Sequence, residues 1–499
     1  MEIILAAMPF LIILVLLFIL RQSAVRAGIS AYLLTLLIGL VIPRFQIERQ
    51  EILHATVKAV LTSAIVAYVL LFGIFLYHIM NETGLIKRIA SLISGSTQDP
   101  VRQVILLVVA FSPLVESVSG YGIAIIVVAP ILVELGFSSF KAVLLSLLGL
   151  SAVPWGALAT GTYIGANLAG IPFQRLGTDV AVLSIPTFFY FAVTAVYLAG
   201  GWQGVRAKWA ELMLVAGSLA FSVWLFNAYV SIELAGVFAS LVALGVEFAF
   251  IYFTAKSTPE EAAFSLAARN QSKADILKTM SPYLILTGVL FISRLVPPIK
   301  AFAGSHAVFS LPAYSFSLPV LYSPGFSIFL TCLLTILLFK IQKHVIKRAV
   351  QLSLKQWLPV TLSTIAFIGT SEIMAAAGMT TTLAQAAAAA FGSAFVLCSP
   401  LIGGFGGFLT GSNVASNAML INLQVEVAKQ IGMPAELFAS MQNTSSSHMT
   451  MASPSRVLLG ASVCNIRSEE NRLLQKIFPM ALGSLVLVLA AVFLLNLRG

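Results

Sequence analysis

Residues 403–417 read GGFGGFLTGSNVASN, and this glycine-rich polar segment lies in a chain of 499 residues that is 59% hydrophobic and only 10% charged. That composition does not fit a soluble globular domain of ordinary make-up. Apolar stretches long enough to cross the hydrocarbon core as helices, which takes roughly 20 residues, recur from residue 2 to residue 497. The sequence therefore predicts an all-α polytopic membrane protein, in which residues 403–417 need a special packing or binding role.

Two zones interrupt the regular apolar pattern. Residues 101–178 and 390–465 are apolar enough for membrane depth but are broken by Pro, Gly, Ser, Thr and Asn. Lipid cannot satisfy the N–H and C=O groups of irregular backbone, so such backbone must be buried in protein or line a cavity. Both zones are therefore candidate binding sites. Helices are predicted elsewhere at 2–20, 28–43, 59–80, 180–200, 210–227, 232–253, 277–296, 325–341, 357–376 and 479–497.

The basic residues lie mainly in short loops beside the predicted spans, as in Lys87 and Arg88 and in residues 340–355. The positive-inside tendency places these loops in the cytoplasm and places residues 298–324, which carry only Lys300, outside. The net charge of +10 is explained in this way, so the expected partner is the lipid bilayer and not a nucleic acid. The three cysteines form no CxxC pair and show no metal-ligand spacing, and we expect no metal or cofactor.

Two pairs of matching blocks indicate an internal repeat. The shared order of the blocks makes a chance match a poor explanation. The pairs are residues 76–92 with 370–386, offset by 294 residues, and 111–122 (FSPLVESVSGYG) with 398–409 (CSPLIGGFGGFL), offset by 287 residues.

The loop charges give the two copies opposite directions. A basic pair follows the helix that ends at Met80, whereas the basic stretch precedes the helix that ends near Ala376. Inverted repeats with interrupted helices or hairpins are typical of secondary transporters, and their sites form near the midplane where the repeats meet. The predicted organisation is N-terminal transmembrane helices in residues 1–50, a first transport repeat in 51–200, connecting helices in 201–350 and a second, inverted repeat in 351–499.

The glycine-rich segments of both zones supply the candidate binding residues. Glycines leave backbone N–H groups free, and short hydroxyl and amide side chains add donors that suit an anion at a helix N-terminus. Close helix packing through small residues is the alternative, and it does not explain five polar side chains in eight positions. We predict a ligand held by Ser119, Gly120, Gly122, Gly407, Thr410, Gly411, Ser412, Asn413, Ser416 and Asn417.

Glu116 is the carboxylate that most invites a role in coupling. An ionisable side chain at membrane depth is costly unless it pairs or faces a cavity, and a low-dielectric surrounding favours the protonated carboxylic acid. Glu116 could therefore take up a proton with the substrate, or it could be a structural carboxylate held by neighbouring serines. Glu372 is the rival proton carrier, and its counterpart in the repeat is His78.

Three residues near the end of the second zone are further candidates. His448 could titrate or donate to a substrate, although a lone histidine can equally be structural, and Ser453 belongs to the adjacent Ser-Pro element. Arg456 could neutralise a carboxylate through a bidentate pair. The alternative for Arg456, which the sequence slightly favours, is an anchor at the membrane boundary.

These segments resemble the bacterial L-lactate permease family of monocarboxylate symporters. The resemblance is carried by GGFLTGSNVASNAML (residues 406–420), MASPSRV (451–457) and FSPLVESVSGYGIAI (111–125), which are similar to glycine-rich, Ser-Pro and acidic motifs of the family. Two positions depart from the pattern, because Asn413 stands where the family has aspartate and Thr450 where it has lysine. The two changes remove opposite charges, so overall neutrality is kept while lactate itself as the substrate is put in doubt.

The resemblance implies a proton-coupled transporter of a small monocarboxylate, such as L-lactate or glycolate, in the bacterial cytoplasmic membrane. A sodium-coupled organic anion transporter and a passive anion channel remain alternatives. An intramembrane enzyme is disfavoured because the sequence has no HExxH and no GxSxG motif. The sequence leaves open whether the chain works alone or as a homo-oligomer.

Overall fold

A computed structural model describes residues 1–94, 96–254, 273–314 and 316–496. Within those residues, ten helices are long and apolar enough to cross a membrane, and two bent helix pairs raise the number to as many as twelve. The protein is therefore an all-α polytopic membrane protein, as the composition predicts. The described residues contain a single two-stranded hairpin, and its second strand packs against α3.

The first half contains α1 to α10. The helices are α1 (Glu2–Leu14), α2 (Ala24–Val41), α3 (Arg49–Glu82), α4 (Leu85–Ser94), α5 (Pro100–Val104), α6 (Ser112–Ser119), α7 (Ile123–Glu134), α8 (Ser139–Leu148), α9 (Gly156–Ala169) and α10 (Phe173–Ala207). π-Helical turns continue α1 to Ile19 and join α5 to α6, and a 3-10 segment, Leu150–Trp155, precedes α9.

The middle of the chain contains α11 (Trp209–Tyr229), α12 (Ile232–Thr254), α13 (Lys273–Leu295), α14 (Pro297–Ser305), β1 (Val308–Leu311), β2 (Phe316–Pro319) and α15 (Pro324–Leu338). The two strands pair antiparallel, with Ser310 opposite Ser317. The second half contains α16 (Lys343–Ala376), α17 (Met379–Phe391), α18 (Phe395–Thr410), α19 (Asn413–Gln430), α20 (Ala435–Met449), α21 (Pro454–Val463) and α22 (Glu470–Asn496).

Several helices, with α3, α10 and α16 among them, are longer than their apolar stretches predict. The sequence predicts 59–80 and 357–376, whereas α3 and α16 each run for 34 residues. The basic stretch 340–355 is thus mostly the start of α16 and not a loop, and the expected repeat boundary at residue 351 falls inside this helix. Hydropathy marks only the part of a helix that lies in hydrocarbon, and α16 continues past it with exposed charged side chains such as Arg348.

The helices α3 and α16 pack against each other and run antiparallel. Lys58 pairs with Glu372 at 2.9 Å, and Glu82 pairs with Arg348 at 2.9 Å, so the residue numbers rise on one helix as they fall on the other. Each helix is followed by a left-handed glycine, Gly84 at φ 71° or Gly378 at φ 72°. A glycine tolerates this conformation at a helix end better than other residues do.

The interrupted zones contact each other reciprocally. Helix α9 of the first zone packs against α19 and α20 of the second, and α21 of the second packs against α7 and α8 of the first. Among the described helices, the segment from α5 to α6 is the one candidate membrane span that is completely buried in protein. These short helices are therefore shielded from lipid by protein, as irregular backbone at membrane depth requires.

Candidate functional site

A small buried cavity lies where four short helices of the two zones begin. The starts of α9, α19 and α21 and the turn that leads into α7 border this central cavity, whose volume is about 30 Å³. Helix N-termini carry free N–H groups and a partial positive charge, so their convergence favours an anion. The central cavity is lined by Glu116, Gly120, Tyr121, Val153, Gly156, Ala157, Thr160, Gly161, Ser412, Asn413, Val414 and Arg456.

The turn between α6 and α7 brings Glu116 to the cavity. Gly120, Tyr121 and Gly122 have φ values of 65°, 54° and 75°, and this left-handed turn folds the chain back over the end of α6. The Gly122 N–H donates to both carboxylate oxygens of Glu116, at 3.1 and 3.3 Å. A Cβ at Gly120 would lie 2.8 Å from the Ala157 Cβ. Glycine at this position therefore allows the turn before α7 to touch the start of α9.

A second left-handed turn, in contact with the first, opens α9. Ala157, Leu158 and Ala159 have φ values of 38°, 53° and 66°, and each non-glycine residue in that region costs roughly 1–2 kcal/mol. The Thr162 hydroxyl holds the turn by donating to the Pro154 carbonyl at 2.6 Å. Strain of this kind clusters at functional sites. Sequence reasoning did not single out this segment, although its Pro154 and following glycine were signals.

The start of α19 is held by a network of amide side chains. The Asn413 and Asn417 Nδ2 groups both donate to Asn443 Oδ1, at 2.8 and 2.6 Å, and Asn443 donates in turn to the Thr162 hydroxyl at 3.0 Å. Ser412 caps the helix by accepting from the Ala415 N–H. These bonds join the two zones across the cavity, so Asn413 and Ser412 line it in a fixed geometry. Asn443 is a site residue that sequence reasoning missed.

Arg456 supplies the positive charge of the central cavity. The residue is only 6% exposed, and its Nε donates to the Gly411 carbonyl at 3.0 Å. Its Nη1 has no hydrogen-bond partner among the described residues, and the guanidinium lies against Gly122 and near enough to Glu116 to interact with its charge. The alternative of an anchor at the membrane boundary is therefore wrong, because this side chain is buried in the core.

Several predicted site residues have packing roles in this structure. Gly407 faces α20 so closely that a Cβ would overlap the Ser446 carbonyl. Ser416 accepts from Gln442 Nε2 at 3.2 Å, and Thr410 donates to the Ser412 carbonyl at 2.9 Å. The small and polar residues of the segment 403–417 thus divide into two groups. Those in α18 and Ser416 in α19 serve packing, whereas Ser412 and Asn413 line the cavity.

Other predicted residues lie beside the cavity without lining it. Ser119 is buried at the end of α6, and Ser453 Oγ is 3.0 Å from Ser455 Oγ at the start of α21, next to Gly411. The left-handed Gly411, at φ 63°, ends α18 and accepts the Arg456 bond. Asn417 lies one turn deeper than Asn413 and donates to the Gly161 carbonyl at 3.0 Å.

His448 and Glu372 lie away from the central cavity. His448 Nε2 is 3.3 Å from the Thr187 hydroxyl, and its ring packs edge-on against Phe191. Glu372 is paired with Lys58, not with its repeat counterpart His78, which instead contacts Gln356 at 3.3 Å. Neither side chain borders the Glu116 carboxylate. Thr450, the second departure from the family pattern, is also off the cavity and donates to the Ser447 carbonyl.

The comparisons with known proteins agree with one another. The L-lactate permease family matches residues 2–497. An L-lactate permease of Salmonella typhimurium is 26% identical over 450 residues, covering 82% of this chain and 80% of the relative. One from Halalkalibacterium halodurans is 24% identical over 513 residues, covering 99% and 96%. A glycolate permease of Escherichia coli K12 is 25% identical over 544 residues, covering 98% and 95%.

A match over nearly the whole chain, together with the ten apolar helices, fixes both class and location. Permeases are transporters, so membership indicates a transporter and not an enzyme. The protein is a multi-pass protein of the bacterial cytoplasmic membrane, and it belongs to the L-lactate permease family.

Proposed function

We propose that this protein is a secondary active transporter that carries a small 2-hydroxy monocarboxylate, L-lactate or glycolate, together with a proton. The observation that supports it most is the Arg456 guanidinium, which has a donor without a partner among the described residues and stands where four helices begin. A buried donor without an acceptor is costly, and a substrate carboxylate would supply the acceptor. Relatives named for L-lactate and for glycolate define the substrate class.

Arg456 would hold the carboxylate, and the amide network would orient the rest of the substrate. Guanidinium groups match carboxylates through paired N–H donors. Asn413 Oδ1 is buried and has no hydrogen-bond partner in the described part of the chain, so it can accept from a substrate hydroxyl. Asn413 stands where the family has aspartate, and it can serve as this acceptor without adding a negative charge beside the substrate.

Glu116 is the proposed proton carrier. A substrate carboxylate that enters beside an ionised Glu116 places two like charges in one small site, which favours protonation of one of them. Proton uptake by Glu116 would then accompany substrate binding and leave Arg456 to neutralise the substrate. The alternative is that Glu116 only fixes the turn at Gly122, whose N–H it accepts.

We further infer that the two halves are inverted repeats that exchange access between the two faces. Their elements follow the same order, from the long α3 or α16 to the long α10 or α22. The antiparallel α3–α16 pair and the reciprocal packing of α9 with α19 and of α21 with α7 support a two-fold relation. Because a cavity of about 30 Å³ holds only one or two waters, the site must widen to admit substrate.

Uptake of radiolabelled L-lactate into proteoliposomes tests the function. We expect saturable uptake, competition by glycolate and accumulation driven by an inward proton gradient. Accumulation that needs a sodium gradient would favour the sodium-coupled alternative. Uptake that never exceeds the equilibrium distribution under either gradient would indicate a passive channel and contradict the proposal.

The coupling role is tested with Glu116→Gln, because the amide imitates the protonated acid. Lactate exchange across the membrane should persist, while accumulation driven by a pH gradient should fail. Glu372→Gln is the matched control, since Glu372 pairs with Lys58 away from the cavity. Full pH-driven accumulation by Glu116→Gln would remove Glu116 from the mechanism, and its loss in Glu372→Gln alone would move the role there.

A further inference from the structure

A second cavity adjoins the central cavity on the side of the β1–β2 hairpin. This outer cavity has a volume of about 230 Å³ and is bordered by the starts of α10, α12 and α15, the end of α13 and the strand β2. Thr160 lines both cavities. The outer cavity opens towards residues 298–324, which the loop charges place outside the cell.

Arg294 lies in the wall of the outer cavity, and two of its hydrogen-bond donors have no partner among the described residues. Its side chain is 3% exposed, and its Nη2 donates to Glu233 Oε1 at 3.2 Å. The guanidinium carbon lies 3.7 Å from the centre of the Tyr322 ring. The Nε and Nη1 groups make no hydrogen bond to any residue that the structure describes, so a buried guanidinium is left with two unsatisfied donors.

Glu233, the other charged group in the wall, does not satisfy these two donors. Glu233 Oε1 accepts from Arg294, and its other oxygen accepts from the Ser231 hydroxyl. The pair is therefore close to neutral, and Arg294 keeps two buried donors without an acceptor among the described residues. Buried donors of this kind normally have an acceptor, and a carboxylate fits a guanidinium edge.

We propose that the outer cavity is an entry site in which Arg294 binds the carboxylate of the substrate before the substrate reaches Arg456. The inference rests on the proposed transport function. With about 230 Å³, in walls that are mostly apolar with a few polar groups, the outer cavity has room for a small organic acid, whereas the central cavity of about 30 Å³ does not.

The left-handed turn at the start of α9 separates the two sites. Leu158 lines the outer cavity, Ala157 lines the central cavity, and Thr160 borders both. A change of backbone conformation in these few residues would join the cavities, and relief of their strain would lower its cost. The turn is thus the inner boundary of the entry site.

The charge selectivity of the entry site can be measured without relying on transport. Ser317 lines the outer cavity on β2, and Ser310 lies opposite it on β1 without lining it. In proteoliposomes that lack Cys398 and Cys464, Ser317→Cys would be modified with an anionic and a cationic methanethiosulfonate reagent. Arg294→Gln should lower the ratio of anionic to cationic rates at Ser317→Cys by about tenfold and lower it less at Ser310→Cys, which does not line the cavity.

Two further measurements complete the experiment. Glu233→Gln should raise the same ratio, which guards against a misfolded Arg294→Gln protein. L-lactate should slow the anionic modification of Ser317→Cys when Arg294 is present and should have no effect in Arg294→Gln.

An unchanged rate ratio in both charge variants, or no protection by L-lactate in a protein that transports it, would overturn the entry site and leave the proposed function standing. A ratio that responds to Arg294 in a protein without lactate uptake would instead overturn the proposed function. The cavity would then remain an anion site without lactate as its ligand.

Discussion

Replacement of Gly122 by alanine should displace Arg456, and comparison with a control glycine separates this effect from backbone strain. Gly122 has a φ of 75°, and a Cβ built on it would overlap the Arg456 guanidinium. Gly170, at φ 66°, ends α9, and apart from its immediate neighbours along the chain no described residue has an atom within 4 Å of the place that its Cβ would take. Both substitutions place alanine in the left-handed region at a cost of roughly 1–2 kcal/mol, so Gly170→Ala is the matched control.

The difference between the two variants measures what Arg456 does. The obstructing atoms at Gly122 are the far end of a flexible side chain, so the fold should survive while the guanidinium is displaced. A hydrogen bond to a charged group contributes about 1.5–3 kcal/mol, and about 1.4 kcal/mol is a factor of ten. We therefore expect the KM of Gly122→Ala for L-lactate to exceed that of Gly170→Ala by about 10- to 150-fold.

The assay is initial-rate uptake of labelled L-lactate into proteoliposomes, with the melting temperature of each purified variant as the check on folding. The two melting temperatures should be similar, because the backbone cost is shared. Equal KM values in two folded variants would refute the assignment of Arg456 as the carboxylate-binding residue.

Three stability changes follow from local geometry, each read from the melting temperature of purified protein. Gly407→Ala would overlap a backbone carbonyl of α20 and should destabilise by about 1–3 kcal/mol; unchanged melting would contradict the close packing. Ala159→Gly should stabilise by about 1 kcal/mol, whereas Ala166→Gly in regular helix should destabilise by a similar amount; the same sign in both would argue against strain. Burial raises the pKa of Asp99, but the hydrogen bond and charge of Lys208 at 2.8 Å outweigh burial and hold that pKa below its usual range. The resulting stability is present above about pH 4 and is lost as pH falls through the lowered pKa. The melting temperature of Asp99→Asn should not show this loss at acid pH. If it depends on pH as the unsubstituted protein does, the stabilising role of the Asp99–Lys208 pair is refuted.

The sequence determined the membrane class and much of the helical layout. Apolar length is a local property, because each segment of roughly 20 apolar residues is stable across the bilayer by itself. The interrupted zones were likewise visible, since Pro and Gly break helices wherever they occur. Sequence also indicated Glu116 and Asn413, which the structure places on the central cavity.

Only the tertiary structure decided which polar residues share that cavity. Gly407 and Gly411 are four positions apart in one motif, yet one packs against α20 and the other accepts a bond from Arg456. The sequence favoured His448 over Arg456 as a site residue, yet of these two only Arg456 reaches the cavity. The reason is that a site at crossing helices is assembled by long-range contacts. When every face of a short helix is buried by protein, its sequence shows no hydrophobic periodicity. The sequence then does not indicate which face meets which neighbour.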